Sequence, residues 1–117
     1  MNHQISIKKL LHVVSTTLVL ACFTNTCIAV DADAAKALAR KNSCLRCHGI
    51  DKEKDGPSFV SVAAKYRGKA NAEARLIAQI TTGEKVKFPD GHEEHHKIIK
   101  TGDMGEIRNL VNWILSN

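Results

Sequence analysis

Two cysteines and a histidine occupy three of five consecutive positions, Cys44-Leu-Arg-Cys47-His48. Sulfur and imidazole this close can hold a metal ion, exchange a disulfide, or carry a group through carbon–sulfur bonds. Cysteines three apart on one helical turn point the same way, so both sulfurs can add to the two vinyl groups of one porphyrin. The adjoining His48 then reaches the iron from the same side. C-x-x-C-H is the signature of that attachment and implies one covalently bound haem c. A thioredoxin-like redox pair would want a strand before it and a helix starting at it, whereas here a helical pattern runs into the motif. Zinc on Cys44, Cys47, His92 and His96 would need halves separated by 44 residues, where a finger has about a dozen. It would also leave His48 and His95 without a role.

The elements around the motif must supply the surroundings. At 117 residues the chain holds one domain at most, and residues 1–29 read as an export signal peptide. Lys8 and Lys9 precede an apolar run from Leu10 to Phe23, broken by His12, Ser15, Thr16 and Thr17. That run is too short and polar for a comfortable membrane span. Cleavage is expected after Ala29, leaving residues 30–117 as the domain; a lipid anchor at Cys22, in the loose lipobox VLAC, is the weaker alternative. The formal charge of +5 falls to +3 without Lys8 and Lys9. Mild, scattered charge with one Trp, one Tyr and three Phe gives no basic-aromatic surface for nucleic acid. Only Cys44 and Cys47 remain in an oxidising compartment, so no disulfide framework exists. A chain this short with so few aromatics buries a small core, and a bulky bound group would complete it.

The pattern predicts an all-α fold of four short helices. Asp31 or Asp33 caps the first, which runs through DAAKALARK to Asn42. Pro57 suits the first position of a second, SFVSVAAKY, closed by Gly68. Asn71 caps a third, AEARLIAQITT, stopped by Gly83. Asp103 with Glu106 resembles a capping box for the last, whose Ile107, Leu110, Val111 and Ile114 form one apolar stripe. Residues 84–102, EKVKFPDGHEEHHKIIKTG, lack helical period and contain no convincing strand, yet hold three of the four histidines that follow the export segment. Loops that long are usually functional.

Together CLRCH, KDGPSFVSVAAKYRGK (residues 54–69) and LVNWILS (residues 110–116) resemble a class I cytochrome c of the small single-domain bacterial kind, from about Ala34 to Ser116. The resemblance implies a monohaem electron carrier, not an enzyme, with four short helices wrapped around the haem. It implies that the Pro57 carbonyl accepts a hydrogen bond from the ring of His48. Tyr66 and Trp113 resemble family positions that pack near the haem or between the terminal helices.

The departure lies at the sixth iron ligand. The family usually supplies a methionine before the last helix, commonly followed by proline, and no Met-Pro occurs here. Met104, the only methionine after the export segment, falls where the last helix starts, nine residues before Trp113. His96 and His95 stand 17 and 18 residues before it, in the right part of the loop. The expected pair is His48 with His96, favoured over His95 and Met104. Two imidazoles stabilise ferric iron and lower the potential. A haem sensor with a labile sixth ligand, or the haem subunit of a periplasmic dehydrogenase, are the alternatives. The expected partners are redox proteins meeting a haem edge flanked by some of Lys52, Lys54, Lys65, Lys69, Lys85 and Lys87; no small-molecule substrate is expected.

Overall fold

The computed structural model describes residues 29–117. The expected export segment and Cys22 lie outside the described residues, apart from Ala29. Helix α1 (Ala32–Lys41) opens on Asp31, whose side chain accepts the Ala34 N–H, and closes on Asn42. A one-turn helix, α2 (Cys44–Cys47), carries the motif itself. The two cysteines thus share one helical turn, set off from the first helix by Asn42 and Ser43. Between them Ser43 takes a left-handed conformation, φ 60°, that swings the chain into the new axis.

Helix α3 (Phe59–Tyr66) starts later than expected. Phe59, not Pro57, takes the first helical position, and Ser58 is the cap, accepting from the Ser61 N–H at 3.1 Å. Pro57 precedes the cap and so keeps its carbonyl free for a partner outside the helix. Helix α4 (Ala72–Thr82) ends at Gly83, which sits at φ +68°. Helix α5 (Met104–Leu115) is capped by Asp103, which accepts from Gly105 and Glu106 N–H groups. Glu106 does not close the expected box directly: the Asp103 N–H donates to Thr101 Oγ1 at 3.1 Å, and that hydroxyl donates to Glu106 at 2.8 Å.

The long loop is partly ordered as a hairpin, contrary to the expectation of no strand. Strand β1 (Lys85–Lys87) pairs antiparallel with β2 (Glu93–His95), Val86 opposite Glu94. The segment after β2 is pinned to the end of α4. His96 N–H donates to the Glu84 carbonyl at 3.0 Å and Ile99 N–H to the Ile80 carbonyl at 2.8 Å.

The core lies where α1, α3 and α4 meet α5, around Ala35, Ala39, Phe59, Leu76, Ile107, Leu110 and Val111. Alanine on α1 lets that helix approach α5 closely. A two-way amide clamp fixes the pair, with Asp31 N–H donating to Asn109 Oδ1 at 2.9 Å and Asn109 Nδ2 to the Asp31 carbonyl at 2.8 Å.

Gly83 offers a clean test of how the hairpin is held. A Cβ there would stand 2.9 Å from the His96 carbonyl oxygen and 3.2 Å from Ile98 Cγ2, in addition to the cost of left-handed backbone. Gly68, at φ +76°, has nothing within 4 Å. Gly68→Ala should therefore cost about 1–2 kcal/mol from backbone strain alone. Gly83→Ala should cost visibly more in chemical denaturation of the haem-loaded protein, because the His96 backbone must move. Equal losses would mean that the close approach carries no energy.

Candidate haem site

The elements converge on a cavity of about 340 Å³ whose walls include Cys44, Cys47, His48, Pro57, Tyr66, Phe88, His95, His96 and the α5 residues Leu110, Val111 and Ile114. His48 leaves α2 as its cap, and its Nδ1–H donates to the Pro57 carbonyl at 2.7 Å. That bond fixes the tautomer and leaves Nε2 with a free lone pair. The ring is held from a second side by Phe59, stacked at 5.5 Å and 16°. Gly56 closes the third side: a Cβ there would lie 2.8 Å from His48 Cε1. The loop from Gly49 to Pro57 keeps this arrangement through Gly56 N–H to the Cys47 carbonyl, 2.8 Å, and Phe59 N–H to the Gly49 carbonyl, 2.9 Å.

Across the cavity stands His96, its ring centroid 5.9 Å from that of His48 and tilted by 45°. Its Nδ1 is buried and has no hydrogen-bond partner. Burial, and after it the neighbouring His48, hold the His96 imidazole below its ordinary pKa, with the Lys97 backbone opposing weakly. A neutral ring keeps a lone pair for a metal. His95 also borders the cavity, its Nδ1–H donating to the Gly83 carbonyl at 2.8 Å, but the ring that faces His48 is that of His96.

The remaining candidates lie elsewhere. His92 is stacked on Phe88 at 4.3 Å and bonded to Asp90, with Glu94 at 3.5 Å from its other nitrogen. Asp90 sits below the usual carboxylate range because the backbone and then the ring of His92 donate to it. Met104 is 43% exposed at the start of α5 and does not border the cavity. Tyr66 does border it, whereas Trp113 packs edge-on against Phe59 at 5.4 Å in the core behind.

Cys44 and Cys47 are not joined by a disulfide. Burial pushes the Cys44 thiol up, with Cys47 adding to the rise against a backbone hydrogen bond. That is the reverse of the lowered pKa a redox or nucleophilic cysteine needs. Among the described residues no three His, Cys, Asp or Glu side chains gather as a metal cluster, so the two halves of the zinc set are not together. What the walls do fit is a flat apolar group with a metal at its centre: two sulfurs at one rim, two imidazoles facing across, and aliphatic α5 side chains beneath.

A cytochrome c family model matches residues 32–117. The chain belongs to the cytochrome c family. The crystal structure of the class 1 cytochrome MtoD from Sideroxydans lithotrophicus ES-1 superposes with a TM-score of 0.73 and 66% identity, over 75% of this chain and 97% of that one. A cytochrome c-551 from Allochromatium vinosum is 36% identical over 93 residues, 80% of this chain and 96% of its own length. A cytochrome c2 from Rhodocyclus tenuis is 47% identical over 81 residues, 68% of this chain and 88% of its own length. This cytochrome is thus of class I, small and all-α, an electron-transfer protein rather than an enzyme. Its family carries one covalently bound haem c, and Cys44, Cys47 and His48 fit the attachment motif. No helix of the described residues is long and apolar enough to cross a membrane.

Two determinants of the site were missed in the sequence. Gly56 carries no signal in the sequence beyond preceding Pro57, although its missing side chain makes room for His48. Asn42 was read only as a helix end. Its side chain also accepts the Lys100 N–H at 2.8 Å, tying the motif to the segment that carries His96. Nothing in the local sequence signals that second contact.

Proposed function

We propose that this cytochrome is a periplasmic, low-potential electron carrier whose haem is tethered through Cys44 and Cys47 and ligated by His48 and His96. The observation that carries the reading is the facing pair of imidazoles. Two imidazoles sharing one metal through bonds of about 2 Å would have centroids about 6 Å apart, and those of His48 and His96 stand at 5.9 Å. The buried, unpartnered Nδ1 of His96 points the same way, since an isolated buried polar atom costs about 1–3 kcal/mol.

The haem supplies a one-electron couple between ferric and ferrous iron. The protein sets the conditions for it. Pro57 aligns His48 and makes its Nε2 a better donor, as a hydrogen-bonded outer partner does for a metal-bound histidine. Two nitrogen donors favour the ferric state over a nitrogen–sulfur pair, hence the low potential. With His48 and His96 both holding the iron, no position would be left for a substrate, which suits transfer without catalysis. Phe59, Leu110, Val111 and Ile114 keep the buried face dry. Residues 1–29, with their basic start and apolar run, support export to the periplasm, where redox partner proteins would be met.

The ferric absorption spectrum of the haem-loaded protein tests the ligand pair. A low-spin spectrum without the weak far-red sulfur-to-iron band is expected. Appearance of that band would place Met104 on the iron and remove the reason for a depressed potential.

A further inference from the structure

We propose that Ser58, Ser61 and Glu53 form a positioning chain that holds the Pro57 carbonyl on His48, so that an exposed carboxylate tunes the iron. This rests on the reading of His48 as an iron ligand and adds the residues that keep it in line. Ser58 is the one buried polar residue among the described residues, 1% exposed. It stands between the two contacts that orient the His48 ring. Pro57, before it, accepts from the ring Nδ1–H at 2.7 Å, and Phe59, after it, stacks on the ring. A rotation of the backbone at residue 58 therefore disturbs both.

The Ser58 hydroxyl accepts the Ser61 N–H at 3.1 Å. A helix cap needs no more than that. Yet the same hydroxyl also donates to Ser61 Oγ at 3.0 Å, and Ser61 Oγ donates to Glu53 Oε1 at 3.1 Å. These two bonds run the same way and end on a carboxylate, so each strengthens the other. Glu53 lies in the loop that leads to Pro57, and the start of α3 is already tied to that loop through the backbone. Phe59 N–H donates to the Gly49 carbonyl at 2.9 Å and Val60 N–H to the Ile50 carbonyl at 3.0 Å. The side-chain run adds a third tie, and it acts at the residue that follows Pro57. The proline ring fixes φ on one side of the Pro57 carbonyl, and the chain fixes Ser58 on the other. A looser bond from His48 to Pro57 would make Nε2 a poorer donor and favour ferrous iron.

The test uses haem-loaded protein. Ser61→Ala leaves the residue 61 N–H on Ser58, so the cap survives while the run to Glu53 is cut. In the ferrous protein the His48 Nδ1–H signal should exchange with deuterium about tenfold faster than in the native protein, because exchange requires its bond to open. Losing a direct outer partner of a metal ligand costs about 10–100-fold in affinity or activity. Further out, the ferrous-to-ferric ratio against a fixed one-electron mediator should rise about threefold. Ser61→Thr restores the hydroxyl and should return both values. Thr81→Val also removes one hydroxyl, bonded to the Ile77 carbonyl at 2.7 Å in α4, and should lower stability while moving neither value. Glu53→Gln keeps an acceptor without the charge, and should speed exchange less than Glu53→Ala does. Unchanged exchange in Ser61→Ala, equal effects in Thr81→Val, or no difference between the two Glu53 variants overturns the proposal. Failure of ligation by His96 would appear instead as the far-red band or as carbon monoxide uptake by the native protein, and leaves the His48 comparisons readable. A His48 signal without the displacement a haem ring imposes on its ligand would defeat the ligand reading, and this inference with it.

Discussion

His96→Ala should open the haem. The variant is expected to lose its six-coordinate low-spin ferric spectrum and, once reduced, to take up carbon monoxide stoichiometrically, whereas the native protein stays inert. His95→Ala is the matched control, because it removes the neighbouring imidazole from the same cavity wall. Its loss breaks the hydrogen bond to the Gly83 carbonyl, worth about 1 kcal/mol, and should leave the spectrum low-spin. The contrast between adjacent residues follows from their surroundings. The His96 ring faces His48 at 5.9 Å, while the His95 ring is turned to the Gly83 carbonyl. Both variants remaining low-spin would defeat this ligand pair. An open site in His95→Ala alone would move the ligand one residue back and leave the covalent tether untouched.

The attachment motif and the helices were legible because each rests on local rules. Asp31, Gly83 and Asp103 mark helix ends through preferences that need no tertiary contact, whereas Asn71 stands at the expected N-cap without a side-chain capping bond. Cys44, Cys47 and His48 announce their chemistry by spacing. The hairpin was less legible. Its strands, Lys85–Lys87 and Glu93–His95, are three residues each, too short for the Lys-Val-Lys alternation of the first to register, and the second is exposed throughout. The signal available was the turn Phe88-Pro89-Asp90-Gly91, with Gly91 at φ +93° and its N–H on the Phe88 carbonyl at 2.9 Å. Such a Pro-Asp-Gly run between two segments predicts a reversal. Without the hairpin, sequence could place His95 and His96 in one loop but could not say which faced His48. That choice is made by long-range bonds, from His96 to Glu84 and from Ile99 to Ile80, whose partners no periodicity reveals.

Phe59→Ala should be the most destabilising change outside the motif, because one ring serves both the core and the iron site. Phe59 is 3% exposed, stacks on His48 and meets Trp113 edge-on. Removing a buried phenyl ring costs about 3–5 kcal/mol, the transfer term plus the cavity it leaves. That is a large part of a stability that totals about 5–15 kcal/mol for a domain. Chemical denaturation followed by circular dichroism should show the midpoint fall steeply. Phe59→Leu should recover more than half of the loss, since it refills most of the volume. Val60→Ala is the neighbouring control: Val60 is 43% exposed, and its truncation should stay within about 0.5 kcal/mol. The same variant separates packing from ligation. His48 keeps its bond to Pro57 when Phe59 is lost, so the iron should remain low-spin in the folded fraction even as that fraction shrinks. A Phe59→Ala protein as stable as the native one would show that the ring does not join α3 to α5. High-spin iron in a fully folded variant would mean that stacking, rather than the Pro57 carbonyl, holds His48 in line.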